Sequence, residues 1–185
     1  MINTIKADVE ERMSKTIGVL KTDFQTIRTG KASPSLLDRI SVDYYGAATP
    51  INQLANVAVP EARMLTIAPW DKSALGAIEK AILKSDLGIT PTNDGSLIRL
   101  VLPELTKDTR KDLCKKCKKK GEDAKVSIRN IRRDGNDELK GLEKSKDITE
   151  DESKGAQDDV QKLTDKYIAQ VDKLVETKEA EIMEV

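Results

Sequence analysis

The sequence predicts an α+β protein in which a long three-helix bundle is interrupted by a small β/α/β domain. Apolar residues recur every three or four positions through three long segments, as they do along the buried side of an amphipathic helix. Between the first and second of these segments lie all six prolines and several β-branched runs. The predicted domains are therefore a bundle formed by residues 1–30 and 105–185, and an inserted domain formed by residues 31–104.

The first two predicted helices follow clear apolar seams. The first runs from Ile2 to Ile27, and Gly30 supplies a natural stop. The second runs from Leu113 to Leu142, with Gly121 and Gly135 on the same seam. A glycine on a packing seam has no side chain to separate two helices, so we expect close backbone approach at both positions.

The third predicted helix begins at the sequence TEDE, where Thr149 and Glu152 fit a capping box. Its apolar residues continue from Val160 to Ile182. Because each of three apolar stripes must be buried against partners, the three helices are expected to pack as a bundle.

The inserted segment alternates between short β-branched runs and turn residues. One helix is predicted from Ser73 to Ser85. The aromatic residues Tyr44, Tyr45 and Trp70 are expected to pack inside this domain, with a partner contact through Tyr45 as the alternative. The predicted strands are ISVDYYG (40–46), ANVAV (55–59), MLTIAPW (64–70), GITPT (88–92) and SLIRLVL (96–102).

The chain crosses between the two predicted domains twice, near TGKASPS (29–35) and LPELT (102–106). Two short crossings without a broad covalent connection allow a hinge, and Gly30 is a permissive point for backbone rotation. The predicted hinge residues are Gly30, Lys31, Pro103, Glu104 and Leu105.

The composition argues against an enzyme. The chain has no histidine, which removes the usual general base and the commonest metal ligand. Cys114 and Cys117 form a CxxC motif without a second ligand pair, and at this spacing they share one helix face. We expect them to be small residues on a packing seam, with a redox site as the alternative. No catalytic residue, cofactor or metal site is predicted.

The N-terminal sequence MINTIKADVEERM carries acidic residues and lacks the apolar run of a signal peptide. No later segment approaches the apolar length of a membrane span. We therefore expect a cytoplasmic protein with no membrane partner.

The formal net charge of zero hides two segments of opposite sign. Residues 105–133 contain twelve lysines and arginines against four acidic residues, whereas residues 134–185 contain eight against sixteen. Helical winding places eight cations on one flank of the second helix, over roughly 40 Å. These residues, which we call the basic stripe, are Lys107, Lys111, Lys115, Lys118, Lys125, Arg129, Arg132 and Arg133.

Two interpretations of the basic stripe remain open at this stage. A polyphosphate backbone would bind such a row of cations, since each neutralised phosphate releases counterions. Alternatively, the stripe pairs with the acidic third helix. Arg132 is the first candidate for phosphate contact because its stem flanks Ile128 and Ile131 and should be anchored by the bundle. Arg129 is the second candidate, and Arg133 points further out.

Four segments of the sequence resemble bacterial ribosome recycling factor, in order and across nearly the whole chain. They are IRTGKASPSLLDRISVDYYG (27–46), KAILKSDLGITPTNDGSLIRLVLPELT (80–106), VSIRNIRRDGND (126–137) and SKGAQDDVQKLTDK (153–166). Small departures from the family pattern occur at Lys31, where arginine is frequent, and at Gly135, where alanine is common.

The resemblance implies an L-shaped, hinged, non-enzymatic translation factor. In that family the bundle lies on large-subunit rRNA, and elongation factor G with GTP then drives separation of the ribosomal subunits, with release of mRNA and tRNA. The implied partners are the ribosome and elongation factor G, and a monomer is expected. From periodicity alone, a helical-bundle adaptor or chaperone that binds protein partners is an alternative. The candidate ribosome-binding residues are Arg132, Arg129, Arg133, Lys125, Lys118 and Arg28.

Overall fold

The computed structural model describes residues 1–184, which form four α-helices and six β-strands. The helices are α1 (Ile2–Gln25), α2 (Leu75–Lys84), α3 (Lys107–Lys144) and α4 (Glu150–Met183). The strands are β1 (Ser41–Tyr44), β2 (Ala47–Pro50), β3 (Ala55–Glu61), β4 (Met64–Pro69), β5 (Thr92–Asn93) and β6 (Ile98–Val101). In this part of the chain no helix combines the length and the apolar character that a bilayer crossing requires.

The chain divides into two compact units. The first consists of Met1–Phe24 and Cys114–Glu181, which contain nearly all of α1 and most of α3 and α4. The second consists of Gln25–Leu113 together with the residues after Glu181.

The first unit is a three-helix bundle, as predicted. Ion pairs between the helices give their directions: α1 and α4 run in parallel, and α3 runs antiparallel to both. The pairs are Lys6–Asp159 at 3.0 Å, Lys166–Glu10 at 3.9 Å, Arg12–Asp134 at 3.1 Å and Lys120–Asp23 at 3.7 Å, with Lys125–Asp172 between α3 and α4.

The core of the bundle is the set of apolar seams that the periodicity predicted. Its buried residues on α1 are Val9, Met13, Ile17, Leu20 and Phe24, and those on α3 include Cys117, Ala124, Ile128, Ile131 and Leu139. Those on α4 include Ala156, Val160, Tyr167 and Val171. Each seam turns away from solvent because its residues lie three or four positions apart on one helix face.

Gly121 and Gly135 lie where α3 approaches its neighbours, which confirms the close approach expected at both. A Cβ atom on Gly121 would lie 2.5 Å from Cγ2 of Val175 on α4. A Cβ atom on Gly135 would lie 2.7 Å from Cγ2 of Val9 on α1. Since real Cβ contacts are longer, the two glycines set how near α3 lies to each neighbouring helix.

The start of α4 confirms the predicted cap. The backbone N–H of Glu152 donates to Oγ1 of Thr149 at 3.1 Å, and the Thr149 hydroxyl donates to the Glu152 carboxylate at 3.1 Å. This satisfies a backbone donor that the first turn of a helix would leave unpaired.

In the second unit, a four-stranded antiparallel sheet has the strand order β3-β4-β6-β5, and β1 and β2 form a separate hairpin. The central pair is in register, with Leu65 opposite Leu100 and Ile67 opposite Ile98. These four side chains are fully buried in one hydrophobic cluster that also contains Ile78 and Ile82 on the inner face of α2.

Three expectations for the second unit were wrong or incomplete. In the segment GITPT only Thr92 is in a strand, as the first residue of the two-residue β5, because Pro91 has no N–H to donate to a ladder. The strand Ala47–Pro50 was not predicted. Tyr45 and Trp70 do not pack inside the domain: they are 83% and 69% exposed.

The exposure of the two rings follows from where the strands end. Tyr45, with a φ of 52°, and Gly46 form the two-residue turn between β1 and β2, so the Tyr45 ring lies on neither face of the hairpin. Trp70 directly follows the last residue of β4. Only Tyr44 is half-buried, and its hydroxyl donates to Asp71 Oδ2 at 2.8 Å.

We predict that Gly121→Ala lowers the free energy of unfolding by about 1–3 kcal/mol, because the new methyl group overpacks against Val175, a stiff β-branched residue. Gly141→Ala on the same helix is the control, since no heavy atom lies within 4 Å of its added Cβ. That variant should gain up to about 1 kcal/mol from helix propensity. Urea unfolding followed by circular dichroism measures both, and equal stabilities of the two variants would contradict the close approach of α3 to α4.

Candidate nucleic-acid interface

The basic stripe lies on α3, the 38-residue helix whose opposite side forms part of the bundle core. The buried seam of α3 determines how the helix is rotated about its axis, and this rotation turns the stripe away from the core. Six of the eight stripe residues are exposed, and Lys125 and Arg132 are half-buried.

Arg132 is anchored as the helical winding predicted. Its Nη1 donates to Oε1 of Gln161 on α4 at 3.3 Å. The acceptor is a neutral amide, so the guanidinium keeps its full positive charge, and four of its five N–H donors remain for a ligand. The arrangement fixes one end of the guanidinium and leaves the rest accessible.

Lys125 is in a different situation from Arg132. Its ammonium forms ion pairs with Asp172 on α4 and with Glu122 one turn earlier, the latter at 3.5 Å. The hydrogen bond to Asp172 raises the pKa of Lys125, against the opposing effect of desolvation. With a side chain only 17% exposed and two carboxylates nearby, Lys125 links α3 to α4 more than it presents a free charge.

The other candidates on α3 are exposed cations. No ion pair or hydrogen bond within residues 1–184 engages the side chains of Lys118, Arg129 or Arg133. Arg28 is not on α3: it follows the end of α1 and belongs to the second unit. Five of the six candidates are therefore on one helix, and Arg28 belongs to a different segment.

Ion pairs to α4 test the interpretation that the basic stripe pairs with the acidic third helix. Of its eight residues, only Lys125 forms an ion pair with α4 in the described part of the chain. Pairing with the acidic helix therefore accounts for one cation of the stripe. The remaining charge faces solvent, where a polyanion could neutralise it.

Gln161 is a residue of this surface that sequence reasoning missed. Its Nε2 donates to Oδ1 of Asp165 at 2.9 Å while its Oε1 accepts from Arg132. The one sequence signal is the spacing of Gln161 and Asp165, which are four apart and so share a helix face. Nothing in the sequence alone pairs Gln161 with Arg132, which lies 29 residues away.

The predicted hinge residues lie in the segments that flank α1 and α3. Gly30 has a φ of 153°, a conformation that other residues rarely adopt. Lys31 and Pro103 are exposed, Leu105 is buried, and Glu104 pairs with Arg63 at 3.3 Å. Motion about these residues stays a prediction.

The two cysteines lack the properties of a redox or nucleophilic site. Cys117 is fully buried, and burial raises the pKa of its thiol to about 11. Burial, with a smaller effect of the Glu179 carboxylate, also raises the pKa of Cys114. Reactive cysteines need the opposite shift, toward the thiolate. These properties support the expectation of two small residues on a packing seam.

The fold and this surface define a class: two-unit α+β proteins in which a three-helix bundle exposes a row of cations along one helix. Comparison with known proteins identifies the family. The sequence profile described as "Ribosome recycling factor" matches residues 20–183. The chain belongs to the ribosome recycling factor family.

Relatives and solved structures agree with this assignment. The chain is 58% identical over 185 residues to the ribosome-recycling factors of Heliobacterium modesticaldum and of Clostridium novyi, with 100% of each chain covered. It is also similar to a solution structure of a ribosome recycling factor, with 41% identity, a TM-score of 0.80 and coverage of 100% and 98% of the two chains.

A second similar structure has 43% identity and a TM-score of 0.67, with full coverage of both chains. It is described as models for the T. thermophilus ribosome recycling factor and the E. coli elongation factor G bound to the E. coli post-termination complex.

We predict that Cys117 resists alkylation in the native protein. With a pKa of about 11, its thiolate fraction at pH 8 should be roughly two hundredfold below that of a thiol with the ordinary pKa of about 8.5. In a Cys114→Ala variant, mass spectrometry after iodoacetamide treatment reports Cys117 alone. The alkylation rate should rise with pH toward 11 and should jump on unfolding in urea, whereas rapid labelling of native protein at pH 7 would revive the redox alternative.

Proposed function

We propose that this protein recycles ribosomes after termination. It binds the post-termination complex and, together with elongation factor G and GTP, promotes dissociation into subunits with release of mRNA and tRNA. It acts in the cytoplasm as a monomer, without a cofactor and without covalent chemistry of its own. For this function we propose that residues 1–30 and 105–185 act as the ribosome-binding domain and residues 31–104 as the moving domain.

The observation that carries this proposal is the extent of the family match. The profile covers residues 20–183, and the curated relatives match from end to end at 58% identity. Both units are therefore included, and not only the helical seams that many bundles share. The relative placed with elongation factor G on a post-termination complex is similar over its full length, which supports the same two partners here.

The basic stripe supplies a physical means of binding rRNA. Exposed arginines donate charge-assisted hydrogen bonds to phosphate oxygens, and the release of counterions makes such binding depend on salt. Arg132 is the leading contact because its guanidinium is held at one edge and charged. Arg129 and Arg133 add exposed guanidiniums one turn or less away. We assign Lys118 and Arg28 secondary roles, and Lys125 mainly a role in holding α3 to α4.

The mechanism we propose is mechanical. A bundle held on rRNA by phosphate contacts transmits force along helices of 38 and 34 residues. The residues Gly30, Lys31, Pro103, Glu104 and Leu105 act as the hinge about which elongation factor G moves the second unit. The energy comes from GTP hydrolysis by the partner, so the chain needs no catalytic group.

We predict that Arg132→Ala weakens binding to large ribosomal subunits by about tenfold or more, since a charge-assisted hydrogen bond is lost. Arg133→Ala should have a smaller effect, with Arg129→Ala between the two. Lys116→Ala removes one exposed charge from the opposite flank of the same helix and is the matched control. Thermal unfolding should be nearly unchanged in all four variants.

Co-sedimentation with large subunits across a salt series makes this measurement. Each lost phosphate contact should reduce the slope of log affinity against log salt by about 0.7–0.9. Binding of wild-type protein that does not depend on salt would argue against the basic stripe and favour the adaptor or chaperone alternative. Melting of the bundle in Arg132→Ala would instead make Arg132 a structural residue.

The proposed function also predicts the outcome of a subunit-splitting assay. Post-termination ribosomes should separate into subunits only when this protein, elongation factor G and GTP are all present, as light scattering reports. A double Cys114→Ala, Cys117→Ala variant should remain active, since no step uses a thiol. Splitting that fails with all components, although the protein binds the ribosome, would refute the proposed function.

A further inference from the structure

Arg132, Gln161 and Asp165 form a chain of hydrogen bonds on the surface between α3 and α4. Arg132 Nη1 donates to Gln161 Oε1 at 3.3 Å, and Gln161 Nε2 donates to Asp165 Oδ1 at 2.9 Å. A guanidinium can only donate and a carboxylate can only accept, so the Gln161 amide has one orientation that satisfies both.

The contact of Lys125 with α4 shows how a carboxylate acceptor would interfere with phosphate binding. At Lys125, the acceptor on α4 is the carboxylate of Asp172, which forms a direct ion pair with the ammonium. A phosphate that approached Lys125 would have to compete with that carboxylate. At Arg132 the direct acceptor is neutral, and the carboxylate of Asp165 accepts from the other end of that amide.

The neutral contact has a second consequence for binding. A free arginine side chain samples many rotamers, and ordering it on a ligand costs conformational entropy. The Gln161 amide holds the Arg132 guanidinium at one edge before any ligand arrives, so part of this cost is already met in the free protein. Arg129 and Arg133, which lack such a contact in residues 1–184, do not have this advantage.

We propose that Gln161 is a positioning residue for ribosome binding: its amide, oriented by Asp165, holds the Arg132 guanidinium ready for an rRNA phosphate without neutralising it. This inference rests on the proposed function, because it takes the basic stripe as the surface that meets rRNA. Gln161 itself acts through Arg132 and needs no contact with the nucleic acid.

Two substitutions of Gln161 distinguish the effect of a carboxylate beside Arg132 from the effect of losing the amide that orients Arg132. Gln161→Glu puts a carboxylate beside Arg132, as at Lys125, and should weaken binding to large subunits about tenfold. It should also lower the salt slope by about 0.7–0.9, the value of one phosphate contact. Gln161→Ala removes the orienting amide but leaves Arg132 charged, so affinity should fall by about two- to tenfold with the salt slope retained.

The matched control is Gln170→Glu. Gln170 is a half-buried glutamine of α4 that makes no hydrogen bond to α3 within the described residues, and this variant changes the net charge by the same amount. Its affinity and salt slope should stay within about twofold of wild type, since a distant surface charge is screened by salt. If Gln170→Glu weakens binding as much as Gln161→Glu does, the effect is one of net charge and the proposal is wrong.

A double-mutant cycle tests whether Gln161 acts through Arg132. In an Arg132→Ala background, Gln161→Ala and Gln161→Glu should have no further effect on affinity. Additive losses would overturn the positioning role. Salt-dependent binding of wild type, weakened by Arg132→Ala but unaffected by Gln161→Glu, would overturn this inference alone. Absence of salt-dependent binding in wild type would overturn the proposed function.

Discussion

The close approach of α3 to its two neighbouring helices is the constraint on which the bundle depends. Gly121 meets Val175 of α4 and Gly135 meets Val9 of α1, so two points about four turns apart fix the rotation of α3 against both partners. If α3 rotated about its axis, a side chain would replace the glycine at each contact, and that side chain would clash with Val175 or Val9.

That rotation decides which charges of α3 are used within the bundle. On the flank toward α1, Lys120 and Asp134 find ionic partners in Asp23 and Arg12. On the flank toward α4, Lys125 is the one stripe residue with an ionic partner on that helix among residues 1–184. A chain with no net charge therefore presents a row of mostly exposed cations along α3. The close packing at Gly121 and Gly135 therefore determines which charges of α3 face solvent.

Arg132 and Lys125 show how two positions of one stripe acquire different roles. Both are half-buried and both contact α4. The difference lies in the acceptor: an amide preserves the charge of Arg132, whereas a carboxylate compensates that of Lys125. Helical position alone assigned both residues to the basic stripe. It gives the position of a side chain on its own helix, but not which group of the neighbouring helix that side chain contacts.

The residue pattern alone predicts the three long helices, their buried seams, the cap at Thr149 and the central strands β4 and β6. These features follow from contacts between residues a few positions apart, which a periodic pattern records. The tertiary structure was needed to show that the Tyr45 and Trp70 rings face solvent, that GITPT contributes a single strand residue, and that Gln161 contacts Arg132. Each of these depends on which distant segments come together or on where a strand ends, and no local pattern encodes that.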